Sequence, residues 1–161
     1  KIRDFLRSEG KEDDWTLMQG EVYGPRINEA QPFSYMFEVL SGIKNKGIQM
    51  CLVSHKTKTP YLGEPHDMHA AALGWLEAKG FFDEDGLGWK SENIFFELTK
   101  ERKIQRIQDL KCDYFIDDLP EILKMLPNSI NKILFSPQGA KTKSKDWIEV
   151  DSWLKISEIL K

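Results

Sequence analysis

Apolar residues alternate between helical spacing and short continuous runs from about residue 32 onward. They recur at helical spacing over 33–43, and the apolar run at 48–53 predicts a buried strand that ends before Ser54. The same alternation predicts further helices at 67–79, 100–110 and 121–125, and further strands at 93–97, 114–116 and 132–135. Because crossovers of ten residues or more are typical of parallel strands, the sequence predicts an α/β fold: a doubly wound, Rossmann-like parallel sheet flanked by helices.

The two ends of the chain are less regular than its middle. Residues 1–32 are polar and predicted to be irregular, apart from one short helical pattern near their start. Apolar residues within 147–159 predict a closing helix or turn. A basic segment at 141–145 is interpreted as a solvated loop, placed where its charge would help to attract an anionic substrate. The regular α/β core is therefore expected over residues 33–161.

The composition narrows the class of protein. The chain has 161 residues, 40% hydrophobic and 30% charged, with a formal net charge of −3. This balance argues against a nucleic-acid partner, since such binders usually carry a basic face. No apolar run is long enough to cross a bilayer, and residues 1–11 lack the apolar segment of a signal peptide. Cys51 and Cys112 lie in apolar segments and suit core residues of a reducing compartment, so a cytoplasmic protein without a membrane partner is expected.

Two adjacent carboxylates, Asp117 and Asp118, follow the apolar run at 114–116. The carboxyl ends of parallel strands form the edge where open α/β folds bind ligands. Neighbouring carboxylates repel each other unless a cation or a shared proton relieves them, and Mg²⁺ is commonly held by one or two carboxylates. The alternative is structural: Asp117 caps the strand end and Asp118 starts the next helix.

Two other predicted strand ends carry polar groups suited to binding a phosphate. Ser54 follows the strand at 48–53, and Lys100 and Lys103 follow the strand at 93–97. A hydroxyl donates a hydrogen bond to a phosphoryl oxygen, and an ammonium neutralises its charge. Together with a metal-binding acid pair, these groups predict a phosphate pocket at one edge of the sheet.

The order of these groups resembles a known family. A strand ending in Leu-Val-Ser-His-Lys-Thr at 52–57, a lysine that opens a helix, and a strand ending in Asp-Asp resemble the second, third and fourth motifs of the haloacid dehalogenase superfamily. Members of that superfamily are Mg²⁺-dependent phosphatases with an aspartate nucleophile. The resemblance covers about residues 32–136, and it implies a HAD-like core acting on a small phosphorylated substrate.

The resemblance implies a role for each matching residue. Ser54 would bind the phosphoryl group, and Lys103 would steady the aspartyl-phosphate. Asp118 would be the main Mg²⁺ ligand, supported by Asp117. Lys103 is preferred because its offset of fourteen residues from Asp117 fits the short-spaced members of the family, and Lys100 is the alternative.

His55 and Lys56 continue the motif that begins with Ser54. The resemblance places both beside the bound phosphate, where they would contact the substrate. An exposed loop position without a role is the alternative for His55.

The first motif of the family, an Asp-x-Asp that ends a strand and supplies the nucleophile, has no match upstream of Ser54. Asp4 and the pair Asp13-Asp14 do not follow an apolar strand. In the family this strand lies centrally, and its loss would leave unpaired backbone on both sides. Either the strand precedes residue 1, in which case residues 1–32 are part of a small cap or linker, or the chain is degenerate.

Two functions follow from these two explanations. The first is a phosphohydrolase whose nucleophile lies upstream of residue 1. The alternative is a catalytically inactive domain of the same fold that serves binding or assembly. A homo-oligomer is compatible with both.

Overall fold

The computed structural model describes residues 2–139 and 144–160, so most of the basic segment at 141–145 lies outside the described residues. The helices are α1 Ile2–Ser8, α2 Glu12–Tyr23, α3 Met36–Asn45, α4 Met68–Ala78, α5 Lys100–Asp109, α6 Pro120–Met125 and α7 Trp153–Ile159. The strands are β1 Leu52–His55, β2 Ile94–Glu97, β3 Tyr114–Asp117, β4 Asn131–Phe135 and β5 Ile148–Val150. None of the helices in these ranges is both long and apolar enough to cross a membrane.

The chain separates into two compact units, each built from two segments. The first unit consists of Lys1–Gln31 and His55–Trp89, and the second of Pro32–Ser54 and Lys90–Lys161. The second unit holds every strand except the last residue of β1. Residues 55–89 were expected in the α/β core, whereas they group with the N-terminal helices.

The strands of the second unit form two sheets. β3, β4 and β5 form a parallel sheet in that order, with Ile116 opposite Ile133 and Ile133 opposite Ile148. β1 pairs with β2 in a separate sheet. The expected α/β class with parallel strands is therefore confirmed. Its strands form two sheets in the described part of the chain, and a single doubly wound sheet stays a prediction.

β1 differs from the strand that the apolar run predicted. It begins at Leu52 and includes Ser54 and His55, which were expected to follow the strand. Ile48, at the start of the predicted strand, is 44% exposed and unpaired in the sheet. The backbone N–H and C=O groups of an extended segment form strand hydrogen bonds only where a neighbouring strand pairs with it. The apolar sequence alone therefore did not determine where this strand starts.

One apolar core joins the two sheets of the second unit. Its most buried side chains are Ile107, Ile122 and Leu123. Val53 of β1 and Leu134 of β4 belong to the same buried cluster although their strands lie in different sheets. Apolar burial therefore holds the sheets together where hydrogen-bond pairing does not.

The first unit is helical: α1 covers the short helical pattern expected near the start, whereas the expectation that the rest of residues 1–32 is irregular was wrong. α2 covers Glu12–Tyr23, and its Gly20 is buried. A Cβ at Gly20 would lie 2.9 Å from the Cβ of Pro60, so the helix approaches the loop after β1 too closely for a larger side chain. This contact between segments forty residues apart stabilises the polar helix α2. The local pattern of apolar and polar residues does not indicate such contacts.

The C-terminal segment contains a strand that the sequence pattern missed. β5 pairs with β4, and α7 follows after Asp151 and Ser152. Three residues are too few to show the period of a strand, so a closing helix or turn was expected here without a strand.

Candidate functional site

The carboxyl ends of β3, β4 and β5 lie at one edge of their sheet because the three strands are parallel. Asp117 is the last residue of β3 and lies opposite Leu134 of β4. Asp118 follows directly and is exposed. The acid pair therefore lies at the edge where open α/β folds bind ligands.

A buried ion pair joins this edge to helix α5. The Nζ atom of Lys103 donates to Oδ2 of Asp117 at 2.6 Å, and only 9% and 6% of the two side chains are exposed. The other carboxylate oxygen, Oδ1, accepts the backbone N–H of Leu119 at 2.9 Å. Lys103 Nζ also lies 5.4 Å from the centroid of the Phe115 ring. Both oxygens of Asp117 therefore have a donor, which holds the carboxylate in one orientation.

The start of α5 determines which lysine reaches the acid. The Thr99 hydroxyl oxygen accepts the backbone N–H of Arg102 at 3.2 Å and caps the helix, so Lys103 lies on its buried face. Lys100, one turn earlier, donates instead to Glu121 in an exposed pair. Of the two candidate lysines, Lys103 is therefore the one that contacts Asp117.

The acid pair does not form a metal centre by itself. The described residues contain no group of three or more His, Cys, Asp or Glu side chains that could hold a metal ion. Asp117 is engaged by Lys103 and by the Leu119 amide, whereas Asp118 is exposed at the strand end. This donor set fits Mg²⁺ held through one carboxylate and completed by water and a substrate phosphate, and Mg²⁺ binding stays a prediction.

Ser54 belongs to the same unit as the acid pair, whereas its neighbours His55 and Lys56 do not. Ser54 is half-buried in β1, and no hydrogen bond joins it to Lys103 or Asp117 in the described ranges. Its part in a phosphate pocket stays a prediction. His55 and Lys56 fall in the first unit.

Within the first unit, Lys56 is a half-buried cation. Its Nζ atom lies 4.8 Å from the centroid of the Tyr23 ring, and its backbone carbonyl oxygen accepts from Nε2 of His69 at 2.8 Å. Burial lowers the pKa of the Lys56 ammonium. No carboxylate pairs with this ammonium among the described residues, so an anionic ligand would stabilise its charge.

The structure also brings together two cysteines that the sequence placed in separate core segments. Cys51, just before β1, and Cys112, just before β3, pack against the same apolar core and interact with each other. Burial is the main cause that raises the pKa of Cys51 to about 11, and burial also raises the pKa of Cys112. The segments that lead into two strands of different sheets are therefore close, a contact that no local pattern signals.

One Asp-x-Asp sequence occurs in the chain, at Asp83 and Asp85, and the sequence reasoning passed over it. It follows two phenylalanines, which is the signal that would have identified it. The Asp83 carbonyl oxygen accepts the N–H groups of Gly86 and Gly88, each at 2.9 Å, so the segment is a turn. A turn does not match the strand that the first motif requires.

The fold and the site define an α/β protein with parallel strands. At the carboxyl edge of its sheet lie a buried lysine–aspartate pair and an exposed second aspartate. No protein-family model matches the chain. It is similar to a "Putative nucleotidase" from Bacillus cereus, with 23% identity over 157 residues that cover 97% of this chain and 73% of the relative. It is also similar to a "Putative nucleotidase" from Oceanobacillus iheyensis, with 28% identity over 61 residues, 38% of this chain and 32% of that protein.

Proposed function

We propose that this chain is the larger part of a haloacid dehalogenase-type phosphohydrolase that acts on a small phosphorylated substrate, a nucleotide. The observation that carries the proposal is the buried Lys103–Asp117 pair at the carboxyl edge of β3, beside exposed Asp118. The similarity of nearly the whole chain to a protein named as a nucleotidase supports the same reaction class.

Each site residue has a role that its chemistry supports. The Lys103 ammonium would neutralise charge on the transferring phosphoryl group, held in place by Asp117. Mg²⁺ bound at Asp118 would supply further neutralisation of that charge. Ser54 would donate a hydrogen bond to a phosphoryl oxygen, and His55 and Lys56 would contact the substrate.

The nucleophile is the missing part of this mechanism, and we place it on an aspartate upstream of residue 1. The break between the two sheets supports this position. β1 pairs only with β2 and β3 only with β4 among the described strands, so each has an unpaired edge. A further strand that ends in Asp-x-Asp would pair with both edges and bring its carboxylates to the edge that holds Asp118.

Phosphatase assays of the complete gene product, with and without Mg²⁺, test this function. We expect the complete protein to hydrolyse p-nitrophenyl phosphate and nucleoside monophosphates in the presence of Mg²⁺, because the added aspartate supplies the nucleophile. The 161-residue chain alone should show negligible turnover. Turnover by the short chain at ordinary enzymatic rates would show that the nucleophile has been misplaced.

The two cysteines provide a structural test of the proposed strand. In the 161-residue chain, diamide should oxidise Cys51 and Cys112 to a disulfide, taking two electrons and two protons, because the two thiols are neighbours at the same core. The thiolate is the reacting form and burial raises the pKa of both thiols, so the rate should rise as the pH is raised above neutrality. Mass spectrometry after alkylation measures the extent.

The complete gene product should resist the same oxidation. A strand inserted between β1 and β3 would separate their backbones by about 10 Å, which is two strand spacings. A disulfide needs a Cα–Cα distance of about 4.4–6.8 Å. Equal rates of disulfide formation in the two proteins would exclude a strand at this position, and Cys51→Ser is the control for nonspecific oxidation.

A non-catalytic domain of the same fold is the second candidate. The observation that favours it is that the one Asp-x-Asp of this sequence, at 83–85, lies in a turn. The gene sequence upstream of residue 1 discriminates between the candidates, since an apolar strand ending in Asp-x-Asp supports the enzyme and its absence supports the binding domain.

A further inference from the structure

An aromatic cleft of about 250 Å³ lies in the second unit, outside the acid–lysine site. Phe33 and Tyr35 line it from the segment before α3, and Phe135 lines it from the last position of β4. Asp151 and Trp153, which follow β5, complete it. The cleft therefore lies at the carboxyl ends of β4 and β5.

The rings of this aromatic cleft pack against one another edge to face or tilted, and two of its aromatic residues are largely exposed. Phe33 packs edge to face on Phe135 at a centroid distance of 4.9 Å, and Phe135 lies 5.9 Å from Trp153. Phe135 is buried, whereas Phe33 and Tyr35 are 54% and 52% exposed. Two large aromatic side chains therefore remain accessible to a flat ligand although a buried ring fixes one of them.

The backbone at the rim of the cleft is strained. Tyr35 has a φ of 63°, a left-handed conformation that costs free energy for a residue with a side chain. Its carbonyl oxygen accepts the Val39 N–H at 3.0 Å, and the Met36 N–H donates to the Phe33 carbonyl oxygen at 3.1 Å. The first turn of α3 therefore maintains the strain, which is the kind that concentrates at ligand-binding positions.

The cleft and the acid–lysine site share one edge of one sheet. Asp117 ends β3, Phe135 ends β4, and Asp151 follows β5. Because neighbouring strands are about 4.8 Å apart, the ends of β3 and β5 are about 10 Å apart. The sugar of a nucleotide can bridge such a span between its phosphate and its base.

We propose that this aromatic cleft binds the base of a nucleotide whose phosphate lies at Lys103 and Asp118. The inference rests on the proposed function and identifies the part of the molecule that would select nucleotides among phosphorylated compounds. A base presents a flat aromatic face that stacks on exposed rings. At the rim, the Asp151 carboxylate accepts from Lys155 Nζ at 2.7 Å and keeps further acceptor capacity for the edge of a base. Phe33 is the residue expected to contribute most, since it is both exposed and fixed by Phe135.

Calorimetric titration with nucleosides tests the cleft independently of catalysis. Adenosine and uridine should bind to the 161-residue chain, whereas ribose should not. Phe33→Ala should weaken nucleoside binding about tenfold, the loss expected for one stacking contact. Phe33→Leu keeps an apolar side chain and removes only the ring, so it should weaken binding by a similar factor. It also shows whether a loss in Phe33→Ala comes from the missing ring or from misfolding. Tyr114→Leu, at the opposite end of β3, is the matched control and should bind like the unmodified chain.

The outcomes separate this inference from the proposed function. If nucleosides do not bind, the proposal that the cleft binds a base is wrong. The same conclusion follows if they bind equally well to Phe33→Ala, Phe33→Leu and the unmodified chain. Hydrolysis of p-nitrophenyl phosphate by the complete gene product, which needs no base, decides the proposed function separately. If both hold, Phe33→Leu in the complete protein should raise KM for adenosine monophosphate about tenfold and leave kcat/KM for ribose 5-phosphate unchanged.

Discussion

Replacing Lys103 by Met should lower the free energy of unfolding of the 161-residue chain by about 3–5 kcal/mol. Lys103 and Asp117 form an ion pair at 2.6 Å with only 9% and 6% of their side chains exposed. Methionine replaces the aliphatic part of the lysine side chain without its ammonium, and it leaves the Asp117 carboxylate buried with the Leu119 N–H as its remaining donor. An uncompensated buried charge is expensive because water no longer solvates it. Urea unfolding followed by circular dichroism measures the loss.

Lys100→Met is the matched control for this prediction. Lys100 lies on the same helix and also pairs with an acid, Glu121, but 41% and 54% of these side chains are exposed. Exposed pairs contribute about 0–1 kcal/mol, so this variant should unfold almost like the unmodified chain. Combining Lys103→Met with Asp117→Asn removes the buried charge and should recover much of the stability. Equal losses for the two lysine variants would contradict the role given to the buried pair.

Asp118→Asn in the complete gene product should abolish Mg²⁺-dependent hydrolysis, with kcat falling by at least about a hundredfold. A cation that neutralises phosphoryl charge contributes several kcal/mol to the barrier, and each 1.4 kcal/mol corresponds to about a tenfold change in rate. Asparagine keeps the size of the side chain and removes the charge that would hold Mg²⁺. The rate of p-nitrophenyl phosphate hydrolysis, measured against MgCl₂ concentration, gives both the activity and the apparent affinity for the ion.

Asp113→Asn controls for the loss of one acidic residue from the same strand region. Asp113 is exposed just before β3, at the end of the strand opposite to Asp118. Its backbone carbonyl makes the hydrogen bonds to Asn131, so an amide side chain leaves that contact in place. The control should keep full activity. Unchanged Mg²⁺ dependence in Asp118→Asn would show that the ion, if required, is held elsewhere.

The spacing of residues favoured Lys103 over Lys100 and gave no sign of other contacts in the structure. Lys103 is the lysine that contacts Asp117, since helix α5 and strand β3 are consecutive and a short connection limits where the helix can lie, and its role at a phosphoryl group stays a prediction. The contact of Cys51 with Cys112 was missed, since each residue lies in an ordinary apolar segment. The aromatic cleft was also missed, because Phe33 and Phe135 come from distant parts of the chain.

The sequence by itself determined the order and type of most helices and strands in the second unit, and it placed the acid pair at a strand end. Hydrophobic periodicity reports which face of a segment is buried, and that property depends on neighbours three or four residues away. Only the tertiary structure decided that 55–89 group with the N-terminal helices, that the strands form two sheets, and that Lys103 contacts Asp117. Those outcomes depend on packing between segments far apart in the chain, where many pairings satisfy the same local pattern.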